Sequence, residues 1–457
     1  MASEAKRHKV DDDTSLQDFL RWCDSVGLVL STKVRVSKEG VVADYGMLAQ
    51  DDIEKGEVLF TIPRSALLHQ GTTHVASLLE REKFSLESTS GWVPLLLALL
   101  YEYTTAQSKW KPYLSLWTDF KMLDHPMFWS KEERDGLLRG TGIPEAVEKD
   151  LDNIQREYKD VVLPFITKHP DMWNTRTHTL ELYTQLVAFV MAYSLIPSLC
   201  SFQEPQEEAD DDDEDEGKAP IPPMMVPMAD MLNHVSKHNA NLEFMPDTLK
   251  MVCMGPIKKG EEVFNTYGQM ANWQLLHMYG FTQPPSDNTD DTADIPVINL
   301  YKAATTGSSH DHSKPDGDPQ LLEEMWELLQ DKGPFVFGKH GCLTDMELHS
   351  VLKVLCMSRD EFAELKDNDG WEDEEDEEII SQAFSNDGLS GLKAKWKWLI
   401  HEAALLTMRG YPDVDQDRVL MEDQVLQQRL SSRQRKALHV RYGQKRILEK
   451  VMELTKT

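Results

Sequence analysis

Three things are scarce in this sequence, and each scarcity excludes something. Its 457 residues include five cysteines (Cys23, Cys200, Cys253, Cys342 and Cys356), scattered, odd in number and without a C-x-x-C pair. Neither a disulfide framework nor a cysteine-ligated zinc is expected, and an intracellular, reducing compartment fits. Positive charge is scarce too: 48 Lys and Arg stand against 78 Asp and Glu, a formal net charge of −30. That balance argues against direct nucleic-acid binding, which needs a basic surface, and favours basic partners such as lysine- and arginine-rich peptides. Long apolar runs are the third absence. The N-terminus lacks the apolar core of a secretory signal. One long uncharged stretch, Leu182 to Gln203, is long enough to cross a bilayer, but Thr184, Gln185, Ser194, Pro197, Ser198 and Ser201 dilute it. It reads as a buried helix ending near Tyr193, not as a membrane span. The G-x-S-x-G and H-E-x-x-H elements of hydrolases are missing as well.

What is present is material for more than one globular core. Apolar residues make up 40%, with 11 Trp, 12 Tyr and 15 Phe, over a length that exceeds one ordinary domain. Residues 1–30 predict an N-terminal helix with a basic tail, with Leu16, Phe19, Leu20, Cys23 and Val26 on one face. Lys6-Arg7-His8-Lys9 has the composition of a nuclear import signal. Over 31–75 the period becomes that of strands, at Val34 and Val36, Val41-Val42, Met47-Leu48 and Glu57–Ile62. Residues 76–223 read as a helical insertion that includes the acidic run 204–217. Such a run buries no apolar area and predicts a solvated loop. Strand-like sequence returns over 224–299, at Leu242–Phe244, Met251–Cys253 and Val263-Phe264.

From 300 to 457 amphipathic spacing predicts helices, among them Leu321–Leu329, Leu343–Met357, Leu392–Met408 and a last one carrying Val440, Ile447, Leu448, Val451 and Leu454. A second acidic run, Glu372–Glu378, interrupts them. The β material thus comes in two blocks. The pattern I-x-K-G-E-x-[VL]-F occurs in each, at Ile53–Phe60 and Ile257–Phe264, as a glycine turn feeding a strand. The expected fold class is α+β: a β-rich domain interrupted by a large helical insertion, followed by an all-α domain.

The unusual residues collect in the β blocks. "GVVADYGMLA" (40–49) offers a glycine-bracketed turn that can bring backbone close to a ligand. "MADMLNHVSKHNANLEF" sets Asn233-His234 after an apolar turn, and "FNTYGQMANWQLLHMYGF" (264–281) interleaves amides with aromatics. These segments resemble the SET-domain protein-lysine methyltransferases of the Rubisco large-subunit methyltransferase class. In that family an Asn-His block, an x-x-Tyr-Gly strand end and an Asn-x-x-Leu-Leu-x-x-Tyr-Gly-Phe helix recur in this order. Asn233-His234, Tyr267-Gly268 and Asn272–Phe281 match them. A split SET domain followed by a helical substrate-binding domain is the architecture the resemblance implies. The missing zinc-binding cysteine clusters of the histone-directed SET branches agree with it.

The resemblance implies methyl transfer from S-adenosyl-L-methionine to a lysine side chain, leaving S-adenosyl-L-homocysteine and needing no metal. Such chemistry needs a neutral lysine nitrogen held in line with the methyl group inside a dry channel. Aromatics would wall the channel, and the interleaved amides would hold the cofactor's polar ends. By resemblance Tyr267 is the catalytic residue, Asn233 and His234 hold the cofactor's amino-acid end and adenine, and Tyr279 packs beside it. Ala43, Asp44 and Tyr45 contribute backbone contacts, and Tyr193 meets cofactor and substrate. Trp92, Ser194 and Gln203 map to the peptide-binding wall, although "LIPSLCS" separates Tyr193 from Phe202-Gln203. The implied partners are lysine-containing nuclear proteins, NF-kappa-B subunits or histone tails, monomethylated in the nucleus with a cytoplasmic pool. The competing reading is an inactive acidic scaffold of the same fold that grips basic peptides; cofactor binding separates the two.

Overall fold

The computed structural model describes residues 2–117, 120–195, 223–306, 318–367, 377–412 and 414–456. Gln203, the acidic run 204–217 and most of Glu372–Glu378 lie outside them, as do the side chains of Lys6-Arg7-His8-Lys9. The chain forms two compact units. The first comprises Met1–Trp129, Ala146–Met270 and His277–Gly280; the second comprises Ser130–Glu145, Ala271–Leu276 and Phe281–Thr457.

In the first unit, short β-branched and aromatic alternations build antiparallel sheets. One has four strands in the order Val29–Leu30, Val58–Pro63, Thr248–Cys253 and Ala240–Phe244. Another has three, Val34–Ser37, Gly46–Ala49 and Glu262–Val263. Each sheet joins two strands from before the helical insertion to one or two from after it, so the insertion interrupts a single β body. The repeated I-x-K-G-E motif explains how the halves meet. Ile53 and Ile257 exchange backbone hydrogen bonds of 2.9 and 3.0 Å across an antiparallel bridge. Gly56 and Gly260 hold φ of +87° and +88°, a conformation L side chains rarely adopt. The two matched turns are bonded to each other, and each sends its strand into a different sheet. Val41-Val42 departs from the strand expectation: both lie in an irregular loop, and Val42 is exposed.

The insertion is largely helical where described, apart from the short strand Ser194–Leu195, which pairs with Met224–Met225. Val93–Thr104 is buried on nearly every face and packs against Leu180–Tyr193, whose Thr179 caps the start by accepting from the Leu182 N–H. The N-terminal helix, Ala2–Ser25, buries Phe19 and Cys23. No helix among the described residues is long and apolar enough to cross a membrane.

The second unit is largely helical, around a core that includes Phe335, Leu352, Leu399, Ile400 and Leu448. Its longest helix, Ser432–Leu454, opens with Ser431 and Gln434 capping one another. The helical expectation needs one correction. Thr292–Ile295, Phe335–Gly338 and Gly341–Cys342 form a three-stranded antiparallel sheet. Its strands have only two to four residues each, set among longer helices. Leu343, assigned to a helix from its spacing, lies outside Asp345–Leu355 and is exposed.

Candidate active site

The run "MVPMADML" (225–232) is apolar except for Asp230, and the fold buries it: Met225, Met228 and Leu232 are fully inaccessible. Burying the run carries the carboxyl of Asp230 inward with it. Tyr113, itself fully buried, donates its hydroxyl to Asp230 Oδ2, while Oδ1 is shielded and has no hydrogen-bond partner. Burial pushes this carboxyl up to about 7, despite the Tyr113 hydrogen bond that acts the other way.

The run ends at Asn233-His234. Asn265 donates its backbone N–H to the Asn233 carbonyl at 3.0 Å, and Tyr267 donates its own to His234 Nδ1 at 3.0 Å. These bonds dock the Asn-His loop onto the segment that carries Tyr267. The His234 ring stacks on Tyr267, and Tyr267 stacks on Tyr279 with ring centres 4.7 Å apart. The Tyr267 hydroxyl donates to the Leu232 carbonyl at 3.0 Å. Burial, then the neighbouring Tyr279 and Asp230, raise its pKa well above that of a free phenol, so it stays neutral.

A cleft opens beside these residues, lined by Trp92, Tyr193, Ser194, Asp230, Asn265, Tyr267 and Tyr279 among others. Five of the expected site residues therefore share one wall system: Trp92, Tyr193, Ser194, Tyr267 and Tyr279. Tyr193 packs 4.2 Å from Trp117, which meets Tyr45 edge-on. Burial is the main cause of the raised pKa of Tyr193. The Asn233 side chain reaches Tyr45 directly, donating from Nδ2 to its carbonyl at 3.0 Å. Ala43 and Asp44 sit on the exposed loop before Tyr45 and do not line the cleft. Among the described residues no group of His, Cys, Asp and Glu is arranged to hold a metal ion.

Sequence reasoning misjudged the amides. Asn272 is fully buried and lies in the second unit, where its backbone N–H donates to Asp291 and its Oδ1 accepts from the Gln283 N–H. Gln274 accepts from the Ala271 N–H. A helix start leaves N–H groups without partners, and Gln274 serves that need, while Asn272 ties the segment at Gln283 to the helix. Asn265 alone of the four nearby amides (Asn265, Gln269, Asn272, Gln274) lines the cleft. Asp230 was missed, and its signal was visible as a single carboxylate inside an otherwise apolar run.

The fold and the cleft define a SET-type domain followed by a helical accessory domain. Family models agree: a SET domain matches residues 44–268, and a Rubisco LSMT substrate-binding domain matches residues 316–448. The chain is 60% identical to N-lysine methyltransferase setd6 of Salmo salar over 464 residues, covering all of both proteins. It is 57% identical to setd6 of Danio rerio, covering all of this chain and 99% of that one. Against SETD6 of Homo sapiens the identity is 47%, again over the whole of both. Among solved structures, Rubisco LSMT bound to AdoMet superposes with a TM-score of 0.61 at 17% identity, covering 97% of this chain and 91% of that one. The LSMT SET domain bound to lysine and AdoHcy gives a TM-score of 0.62 at 18% identity, with the same coverage. These two likenesses are of fold. The sequence relatives settle the family: this chain belongs to the SET-domain N-lysine methyltransferases that carry a Rubisco LSMT substrate-binding domain.

Proposed function

We propose that this chain, a protein-lysine N-methyltransferase, adds a single methyl group to lysines of nuclear proteins, using the cleft around Tyr267. S-adenosyl-L-methionine supplies the methyl group as a sulfonium electrophile and leaves as S-adenosyl-L-homocysteine. The residues present suit it. Asn233 offers an amide acceptor for its ammonium, and the Tyr267–Tyr279 stack offers aromatic faces.

Each residue's role follows from its surroundings. The walls from Trp92, Tyr193 and Tyr279 accept a lysine's apolar stem and keep water from the amine, so the nitrogen can sit neutral and ready to attack. The observation that carries the reading is the Tyr267 hydroxyl. Its hydrogen is committed to the Leu232 carbonyl, so its oxygen lone pairs are fixed in orientation before any substrate arrives. A fixed dipole of this kind stabilises positive charge as it moves onto the lysine nitrogen, without reorganisation during the step. Asn233, His234 and Tyr45 bind and orient the cofactor, while Ser194 and Trp92 belong to the peptide wall. The crowding of Tyr193, Tyr267 and Tyr279 supports a single methyl. The net charge of −30 supports basic target segments, histone tails and NF-kappa-B subunits included. Lys6-Arg7-His8-Lys9 supports the nucleus. The second unit is assigned the docking of the protein substrate.

Tyr267→Phe tests the catalytic assignment. It should lower kcat by about a hundred-fold or more, the usual cost of one preorganised group, while cofactor affinity measured by calorimetry changes little. Equal losses in both, or an unchanged rate, would sink it. Mass spectrometry after exhaustive reaction tests the product: dimethyl- or trimethyl-lysine would refute monomethylation.

A further inference from the structure

Glu262 is buried on the strand Glu262–Val263, yet no basic side chain among the described residues pairs with it. Its two carboxylate oxygens go elsewhere. Oε2 accepts from the backbone N–H of Val42 at 2.9 Å, and Oε1 accepts from Asn233 Nδ2 at 2.7 Å. Val42 belongs to the exposed loop that leads to Ala43, Asp44 and Tyr45, so one carboxylate ties that loop to the Asn-His segment. The third corner closes the arrangement: Asn233 Nδ2 also donates to the Tyr45 carbonyl at 3.0 Å.

An asparagine amide has two donor hydrogens and one acceptor oxygen. Both partners of Nδ2, a carboxylate and a carbonyl, can only accept, so the amide has a single sensible orientation. Its donors are consumed, and Oδ1, which carries no hydrogen bond among the described residues, is left to receive a donor. A buried negative charge one residue behind that oxygen favours a donor that is cationic. Gly46 shows how closely the carboxylate is seated, since a Cβ on it would fall 2.5 Å from Glu262 Oε1. Burial raises the Glu262 pKa, and the Asn233 and Val42 hydrogen bonds oppose that rise.

We propose that Glu262 is a positioning residue: it fixes the Asn233 amide so that Oδ1 meets the cofactor's ammonium, and so makes the site select ligands bearing that cation. The proposal rests on the cofactor-binding reading of Asn233 given above. Charge and hydrogen-bond geometry act together through one side chain. Glutamine in its place keeps the volume but has one acceptor oxygen for two donors, so its NH2 must face either the Val42 N–H or the Asn233 amide.

The test is calorimetric binding of S-adenosyl-L-homocysteine and of its desamino analogue, which lacks only the ammonium, to the full chain. Glu262→Ala should weaken S-adenosyl-L-homocysteine by about ten-fold or more and the desamino analogue by less than about three-fold. Glu262→Gln should show the same selectivity with a smaller loss, and it carries the test if the alanine variant does not fold. Asn233→Ala should show the selective loss too, and the double variant should lose no more than the larger single one. Equal weakening of both ligands in the Glu262 variants, with Asn233→Ala still selective, would make Glu262 merely structural and overturn the proposal alone. Wild-type affinity in Glu262→Gln would overturn it as well. If Asn233→Ala weakens both ligands equally, the cofactor-binding reading of Asn233 fails and takes the proposal with it.

Discussion

Two aspartates, one in each unit, are taken out of water and treated in opposite ways. Asp417 in the second unit is almost inaccessible and receives Arg441 through Nε and Nη2, at 2.9 and 2.7 Å, and Lys445 at 2.7 Å. Burial alone would raise its pKa, but those cationic partners bring it below the ordinary carboxylate value. Asp230 in the first unit has one neutral phenol for a partner and one oxygen without any, and its pKa rises to about 7. Satisfied buried charge marks a structural joint; buried polar groups left incomplete mark a place kept for something else. The cleft contains a second incomplete group, the buried Ser194 Oγ.

The comparison breaks most visibly at Asp417. Asp417→Ala leaves Arg441 and Lys445 buried without a counter-charge, which should cost about 3–5 kcal/mol of stability. Chemical denaturation of the full chain measures it, and a loss below about 1 kcal/mol would mean that the triad is wet and the contrast false.

Asp230 should produce a slope with pH where Asp417 produces a loss. Its folded pKa of about 7 exceeds the ordinary 3.8, so between these values the native state holds a proton that the unfolded chain has released. Stability contributed by the neutral carboxyl is complete below about pH 4 and is lost as pH rises through about 7. Asp230→Asn cannot titrate and keeps an acceptor for Tyr113. Relative to it, the wild type should lose up to about 3 kcal/mol between pH 5 and pH 8, about two units at about 1.4 kcal/mol each. Parallel stability profiles for the two proteins would show that Asp230 is ionised throughout.

Much of this molecule was legible before any coordinates. Alternation at Val34 and Val36 located the strand Val34–Ser37, because a half-buried strand repeats every two residues, and the strand-like runs Glu57–Ile62 and Met251–Cys253 fall within or beside Val58–Pro63 and Thr248–Cys253. The motif shared by Ile53–Phe60 and Ile257–Phe264 marked two β blocks, and the fold bonds the two turns to each other. Of the residues the resemblance named, Tyr193, Tyr267 and Tyr279 line one cleft, and Asn233 bonds to Tyr45. What stayed hidden depends on contacts far apart in sequence. Glu262 reads as one more solvated charge in "IKKGEEVF", and only the approach of Val42 and Asn233 gives it another meaning. Ser130–Glu145 reads as part of the helical insertion. Yet it clusters with the second unit, where Arg441 donates to the Leu137 carbonyl and Gln444 to that of Thr141. No local period encodes a partner three hundred residues away.

That segment also supplies the smallest expected effect, which sharpens the comparison by separating pairing from burial. Glu133 and Arg433 form an ion pair of 2.6 Å in the second unit, a distance as short as any in the Asp417 triad. Their side chains, however, are 37% and 31% exposed, against 4% for Asp417 and 10% for Arg441. Water screens the exposed pair and solvates either partner left alone, so holding two long side chains together gains little. A double-mutant cycle over Glu133→Gln and Arg433→Gln should give a coupling of about 0.2–1 kcal/mol, lower still at high salt. The same cycle over Asp417→Asn and Arg441→Gln should give several times more, with little dependence on salt. Equal couplings would mean that distance, and not removal from water, sets the worth of these pairs, and that the contrast between Asp230 and Asp417 must be explained by geometry alone.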